Sequence, residues 1–341
     1  MSWLPPDQDD EGWEAWDEED VRVRPNPKAN RPRSKTRPDH ADAVTGRVLG
    51  VERGRYRVWV GDGSDDEHEA TATRARELGR KAIVTGDLVD LVGDTSGEEG
   101  TLARIVRIQP RSTLLRRSAD DTDAVERVIV ANADQMLVVV AAASPEPRPR
   151  LVDRYLVAAY DAGIHPILCI TKTDLADPEP FLALFEGLDL EVVRSRSDAV
   201  PVAELTARLD GHTTVAVGHS GVGKSTLVNA LVPEADRATG EVNEVTGRGR
   251  HTSSSTISYR IGRSGWIVDT PGVRSFGLGH VDPPSILRGF ADLAAIAEEC
   301  PRGCTHLPDS PDCELVEAAA RGEIAEGRLD SLQRLLTTLA S

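Results

Sequence analysis

The stretch AVGHSGVGKSTLVNAL, Ala216 to Leu231, constrains the fold more than any other. An apolar run ends in a glycine-rich loop, and the loop passes into a segment of helical composition. Gly218 to Ser225 fits the pattern G-x-x-x-x-G-K-[ST]. The glycines let the backbone curl so that successive N–H groups point at one anion, and the following helix turns its positive end toward the same place. Lys224 would bring its charge to the β and γ phosphates of a nucleotide, and Ser225 would offer a hydroxyl to Mg²⁺. Gly218, His219, Ser220, Gly221, Val222, Gly223, Lys224, Ser225 and Thr226 are therefore expected to bind nucleotide. The loop alone leaves ATP and GTP both open. Such a loop normally opens an α/β domain, yet here it begins past the middle of a 341-residue chain.

A chain of this length holds two or three domains. No run of about 18 apolar residues occurs, so no membrane-spanning helix is expected. The acidic start, MSWLPPDQDDEGWEAWDEED, is not expected to act as a signal or transit peptide. The formal net charge of −16 is unevenly spread. Residues 1–20 hold nine acids and no Lys or Arg, residues 21–40 hold seven Lys or Arg against one Asp, and residues 41–117 are balanced. The acidic excess otherwise belongs to the remainder. The segment 1–41 is rich in charge and Pro without periodicity, so it is expected to be disordered. Its basic half has the composition of an arm that lies along phosphates, and equally that of a solvated tail.

From about Ala43 the texture changes to short alternating apolar runs broken by Gly and Asp, as in VTGRVLGVERGRYRVWVGDG. Five or so strands within about 70 residues suggest a small closed barrel, read here as an OB-type fold over 42–111. Such barrels often bind oligonucleotides and often do not. From about Asp134 the texture is α/β: QMLVVVAAA, IHPILCI, LEVVRS and TTVAVG as strands, RLVDRYLVAAYDAG, PEPFLALFEGL and VAELTARL as helices. Alternation of this kind implies a doubly wound, mostly parallel sheet.

Two further motifs belong with the phosphate loop. Asp269 to Gly272, DTPG, follows the apolar run GWIV. A carboxylate at that strand end can support Mg²⁺, and the Gly272 amide can contact a γ-phosphate. Thr171 to Asp174, TKTD, ends the strand ILCI. The Asp174 carboxylate can accept two hydrogen bonds from guanine N1 and N2, which adenine cannot supply, and this favours GTP. Thr171, Lys172 and Thr173 share that loop. Thr171 stands where Asn is usual, and one hydroxyl in place of an amide is expected to weaken the hold on the base. RSRS around Ser195 is expected to be a second base-contacting loop.

The order of these motifs explains the late phosphate loop. Ordinary GTPases run phosphate loop, switch region, Asp-x-x-Gly, base-reading loop. Here the base-reading loops come first, so the domain, placed over 112–278, is circularly permuted. Chain ends lying close together at a domain surface make that rearrangement tolerable.

Of four cysteines, Cys300, Cys304 and Cys313 fall in CPRGCTHLPDSPDC beside His306. Three thiolates and one imidazole form a closed tetrahedral Zn²⁺ set, structural rather than catalytic, in a helical module over 279–341.

A permuted GTPase domain behind a small barrel and before such a zinc module resembles the ribosome small subunit-dependent GTPase A (RsgA) family over about residues 42–341. The stretches that carry the resemblance are GDLVDL, RIQPRSTLLRR, TKTDL, GHSGVGKSTLVNAL, GRGRHTSSST, DTPGVRSFGL, the cysteine cluster and GEIAEGRLDSLQRLL. Departures are Thr171 for Asn, His219 for Gln and one residue fewer between the first two cysteines. The resemblance implies an OB-fold, GTP hydrolysis stimulated by the small ribosomal subunit, a role in late maturation of that subunit through rRNA contact, Zn²⁺ and Mg²⁺ as metals, and a cytoplasmic monomer that meets other assembly factors. In this frame Ser225, Thr252 and Asp269 hold Mg²⁺. Val273 follows Asp-x-x-Gly where a water-orienting Gln stands in Ras-like enzymes, so slow intrinsic hydrolysis is expected. His251 is the candidate to take over that task, with Lys224 and Thr252 as the other catalytic candidates. A different class of function, nucleotide-dependent binding of RNA or protein with incidental hydrolysis, is compatible with the same motifs.

Overall fold

A run of short strands closes on itself between Val44 and Ile108: β1 (Val44–Glu52), β2 (Arg55–Val60), β3 (His68–Arg74), β4 (Leu88–Gly93) and β5 (Ala103–Ile108). The structure is a computed structural model that describes residues 40–79, 81–118, 126–188, 190–233, 235, 256–270, 276 and 278–340. Asp42–Ser341 make one compact unit. In the barrel β1 pairs with β2 and β4, β2 with β3 and β4 with β5, all antiparallel, and β3 with β5 in parallel. The order β1-β2-β3-β5-β4 thus returns to β1 and leaves no open edge. Alternation does the rest: in β2, Tyr56, Val58 and Val60 turn inward to meet Val48, Val89, Leu91 and Ile105. A bulge between Val48 and Gly50 bends β1 around the closure. The expected OB-type barrel is present.

After a hairpin of β6 (Leu114–Ser118) and β7 (Glu126–Ala131) comes the α/β layer. Its elements are β8 (Gln135–Ala141), α1 (Pro149–Ala162), β9 (His165–Thr171), α2 (Glu179–Leu182), β10 (Glu191–Arg194), α3 (Val202–Leu209), β11 (Thr213–Gly218), α4 (Lys224–Leu231), β12 (Ile257–Ile261) and β13 (Gly265–Asp269). Strands β10-β9-β8-β11-β13 are parallel and β12 is antiparallel to β13. Every residue of β8 is buried because both faces of the sheet are covered. Leu137, Val139 and Ala141 face a core shared with α3 and α4, while Met136, Val138 and Val140 face one shared with α1 and the C-terminal helices. Gly163, at φ +67°, ends α1 where the sequence places the stop.

The C-terminal elements are α5 (Pro283–Leu287), α6 (Ala291–Ala297), α7 (Glu314–Ala320) and α8 (Glu326–Ala340). Helix α8 docks on α1 and on the α2 region. Arg334 pairs with buried Asp153 at 3.1 Å and covers the Phe185 ring, and Arg328 pairs with Asp292 at 2.7 Å and covers Phe290. Both guanidiniums also reach backbone carbonyls, Arg334 that of Leu184 and Arg328 that of Gly187. A Cβ on Gly187 would lie 1.9 Å from the Gly327 oxygen, so only glycine admits this approach. The segment that these contacts hold departs from expectation. PEPFLALFEGL is not one helix but the single turn of α2 followed by a 3₁₀ turn at Ala183–Phe185. The Leu184 and Gly187 carbonyls near its end accept from the two arginines, which tie the segment to α8.

One strand junction joins barrel to sheet. Gly50 in β1 stands opposite Ile257 in β12, so the barrel extends the α/β sheet at its β12 edge. Trp59 meets Trp266 edge-on with ring centroids 5.7 Å apart, and Arg47 and Arg260 lie over the Trp266 ring.

Candidate functional site

All the parallel strands end at one edge, and the loops leaving them carry the candidate residues. Strand β8 lies between β9 and β11, and the chain moves away from it in opposite directions on its two sides. A crevice at such a reversal is where open α/β sheets bind ligands.

The phosphate loop leaves β11 through Gly218, where a Cβ would lie 2.6 Å from the Val139 oxygen. Gly221 and Gly223 have φ of +84° and +93°, a conformation that strains other residues. Gly223 is the cap of α4, and its carbonyl accepts the first helical bond from Leu227 N–H at 2.9 Å. The free N–H groups of the first turn of α4 therefore face the crevice mouth with the positive end of the helix dipole. His219, Ser220, Ser225 and Thr226 sit on this loop and turn, with Ser220, Ser225 and Thr226 exposed. Val222 is buried.

Lys224 forms an ion pair with Asp269, and both are only partly exposed. Parallel register sets Asp269 beside Ala216 of β11, and Thr270 donates its hydroxyl to the Ala216 carbonyl at 2.8 Å. The sheet thus holds the carboxylate of the DTPG motif next to the lysine of the phosphate loop. His251, Thr252, Gly272 and Val273 lie outside the described residues.

The TKTD loop leaves β9 and is tied to the phosphate loop by two side chains. Buried Thr171 donates its hydroxyl to the Val222 carbonyl, with the Val140 carbonyl at 3.2 Å. Lys172, at φ +57°, donates its ammonium to the Gly221 carbonyl at 2.8 Å and to the Ser144 carbonyl. Thr171 therefore spends its one proton on the phosphate loop. Its separation of 51 residues from Val222 put this tether beyond local pattern reading.

Asp174 is exposed, and its Oδ1 accepts the Ser197 N–H at 2.6 Å. That bond holds its carboxyl below the usual range, so it is ionised and able to accept at neutral pH. The loop after β10 is joined to the TKTD loop through main chain: Thr173 N–H donates to the Ser195 carbonyl at 3.2 Å, and Ser195 N–H to the Ile170 carbonyl at 2.8 Å. The Ser195 side chain itself is buried. Ser197, whose amide meets Asp174, lies within the RSRS stretch expected to form the second base-contacting loop, though nothing in the sequence distinguishes it there from Ser195.

Away from this edge, Cys300, Cys304, His306 and Cys313 place their donor atoms within 4.8 Å of one another. His306 Nδ1 lies 3.6 Å from Cys300 Sγ and 3.8 Å from Cys313 Sγ. Tetrahedral Zn–S and Zn–N bonds of about 2.3 and 2.0 Å put neighbouring donors about 3.5–3.8 Å apart, so the set fits a four-coordinate metal ion. Burial holds the His306 imidazole below its ordinary pKa, which favours the neutral ligand form. Gly303, at φ +82°, makes the turn between the first two cysteines, and Cys313 opens α7. The His306 carbonyl accepts from Gln333 of α8 at 3.1 Å, which links the cluster to the docked helix.

Comparison with known proteins agrees with this architecture. A sequence profile of the RsgA GTPase family matches residues 108–279. The chain is similar to the small ribosomal subunit biogenesis GTPase RsgA of Pseudomonas syringae pv. tomato, at 39% identity over 268 residues, covering 76% of this chain and 75% of that one. It is also similar to RsgA 1 of Vibrio vulnificus strain YJ016, at 36% over 299 residues and 84% of each chain. Its fold is like those of YjeQ from Thermotoga maritima (TM-score 0.64, 24% identity, 88% of this chain and 99% of that one) and of YloQ, a circularly permuted GTPase (TM-score 0.65, 24% identity, 89% and 98%). With the profile spanning half of its residues and relatives this similar along most of its length, the chain belongs to the RsgA GTPase family.

Proposed function

We propose that this protein hydrolyses GTP to GDP and phosphate, that the small ribosomal subunit activates it, and that it acts in late maturation of that subunit through rRNA contact. The observation that carries the nucleotide part is the joint of Thr171 and Lys172 onto the Val222 and Gly221 carbonyls, which makes the base-reading and phosphate loops one rigid cradle. The names of its relatives, small ribosomal subunit biogenesis GTPases, support the ribosomal part.

In this cradle Asp174 accepts from guanine, with the 195–198 loop alongside. The amides of residues 219–226 and the Lys224 ammonium receive the phosphates. Lys224 and Asp269 neutralise each other as described; with GTP bound, Lys224 turns to the β and γ oxygens and Asp269 to the metal shell. Ser225, Asp269 and Thr252 would hold Mg²⁺, which supplies charge neutralisation at the phosphates when bound. Gly272 offers its amide to the γ-phosphate. His251 orients the attacking water in place of the side chain that Val273 cannot provide. The Cys300–Cys304–His306–Cys313 set holds one structural Zn²⁺. The chain works as a tail (1–41), a barrel (42–111), the permuted domain (112–278) and the zinc module (279–341), as a cytoplasmic monomer that meets subunit rRNA and other assembly factors.

Competition binding of GDP against ADP, with release of phosphate from GTP, tests the enzymatic part. GDP should displace a labelled guanine nucleotide and ADP should not. Equal displacement by both would remove guanine recognition from the site.

A further inference from the structure

The barrel segment Thr85–Gly86–Asp87 is held from three directions. From the barrel, Gly86 N–H donates to the Val48 carbonyl and Val48 N–H to the Asp87 carbonyl, both at 2.8 Å. From the hairpin side, Ala131 N–H donates to the Thr85 carbonyl at 3.0 Å, and Asn132 Nδ2 to the Gly86 carbonyl at 2.9 Å. A Cβ on Gly86 would lie 2.1 Å from the Ala131 oxygen, so the two chains meet at backbone distance. Asp87 is fully buried and takes both arms of Arg111, at 2.6 and 2.8 Å. The third direction is the α/β sheet. The hydroxyl of Thr85, a residue 2% exposed, donates to the Thr256 carbonyl at 3.0 Å.

Thr256 is the residue that leads into β12. The next residue, Ile257, stands between Gly50 of the barrel on one side and Asp269 on the other. Asp269 in turn stands beside Ala216 and pairs with Lys224. One cross-strand row therefore runs from the barrel to the carboxylate and ammonium of the phosphate site, and the Thr85 hydroxyl pins the chain where that row begins. A displacement of the 85–87 joint relative to β12 breaks a bond to a buried donor, so the two cannot move independently without cost.

We infer that Thr85 is a positioning residue that couples the barrel to the phosphate site: nucleotide state is felt at the 85–87 joint, and a load on the barrel is felt at Asp269. This rests on Lys224 and Asp269 being the phosphate and metal site proposed above. Coupling is reciprocal in equilibrium binding, so it is visible from the nucleotide side without any ribosome.

The test uses the full chain as wild type, Thr85→Val and Thr85→Ser. Hydrogen exchange is followed at the Val48, Gly86 and Ala131 amides with GDP and with a non-hydrolysable GTP analogue. In the wild type and in Thr85→Ser, protection at these amides should differ between the two nucleotides. In Thr85→Val that difference should vanish, with GDP affinity unchanged. GTP turnover is then measured with and without small ribosomal subunits. Thr85→Val should keep its unstimulated rate and lose about tenfold of the stimulation, the size of a typical coupling, and Thr85→Ser should restore it. A wild type whose joint amides ignore nucleotide state, or a Thr85→Val protein that responds like the wild type, overturns the inference. A wild type with nucleotide-sensitive joint amides but no stimulation by subunits upholds the coupling and removes the ribosomal reading instead.

Discussion

Thr171 joins two loops through one side chain. Its hydroxyl lies on the Val222 carbonyl, and with Lys172 it fixes the peptide that carries the phosphate loop through its tightest turn. Thr171→Val keeps shape and removes the proton, leaving a buried carbonyl short of a donor. GDP affinity should fall about tenfold, as expected for an unsatisfied buried polar group, while Thr171→Asn, which keeps a donor and supplies the usual amide, should bind GDP at least as tightly as wild type. Titration calorimetry with GDP distinguishes them, and equal affinities in all three would show that the tether does not bear on binding. Asp174→Asn addresses the base itself. An amide keeps one acceptor oxygen and puts an N–H where the second stood, so it can meet only one of the two guanine donors but can donate to the xanthine oxygen, and preference should shift from GDP toward XDP in competition binding. Unchanged GDP binding would remove Asp174 from the base site. Both loops were legible in the sequence because each is a contiguous pattern at the end of an apolar run. The tether between them was not, because it joins residues 51 positions apart and ends on backbone carbonyls that carry no sequence signature.

At the scale of elements, the Cys300, Cys304, His306 and Cys313 cluster is the clearest local device. Its four side chains lie within fourteen residues, so spacing alone was enough to group them. Binding of structural Zn²⁺ is itself folding free energy, on the order of 10 kcal/mol. Cys304→Ser should lower metal content and loosen α7 and α8, read by elemental analysis and proteolysis; a wild type free of zinc and indifferent to chelator would contradict this. The barrel carries a device that the sequence did not announce. His68 places Nε2 2.7 Å from the Thr95 carbonyl and Nδ1 2.7 Å from that of Asp66, and only the doubly protonated ring can donate to both. These bonds, Thr95 first, with the nearby Asp66 charge, raise its pKa above 6.5. The folded value being the higher, this clasp between the β2–β3 and β4–β5 loops is fully present below about pH 6.5 and is lost as pH rises through the raised value. The His68 ring resonances should therefore titrate above 6.5, with amide protection factors at residues 94–102, taken relative to the base-catalysed intrinsic rate, falling at higher pH; titration at or below 6.5 would dissolve the clasp. Strands and most helices of the α/β layer stood in the sequence as expected, since buried runs and glycine stops are local signals. The short α2 and the β6–β7 hairpin were not legible. The first ends in a 3₁₀ turn whose neighbouring carbonyls meet Arg328 and Arg334 of α8, and the second is set by pairing and packing with distant residues.

The whole molecule follows from the order of its motifs. Because the base-reading strands precede the phosphate loop, the chain leaves the sheet after Asp269 and enters the C-terminal helices directly, while β12, one strand away, is bonded to the barrel. The proposed nucleotide site is thus flanked along the chain by the C-terminal helices and along the sheet by the barrel. The permutation was legible because motif order needs no structure; the strand junction at Gly50 and Ile257 was not, because single cross-strand pairs leave no trace in composition. Multiple-turnover GTP hydrolysis with and without purified small ribosomal subunits tests the proposed activation. The isolated protein should turn over slowly and subunits should accelerate it strongly. His251→Ala should lose about 10²-fold of the stimulated rate, the worth of a water-positioning or general-base group, at near wild-type GTP affinity. Equal turnover of the wild type with and without subunits would contradict the account.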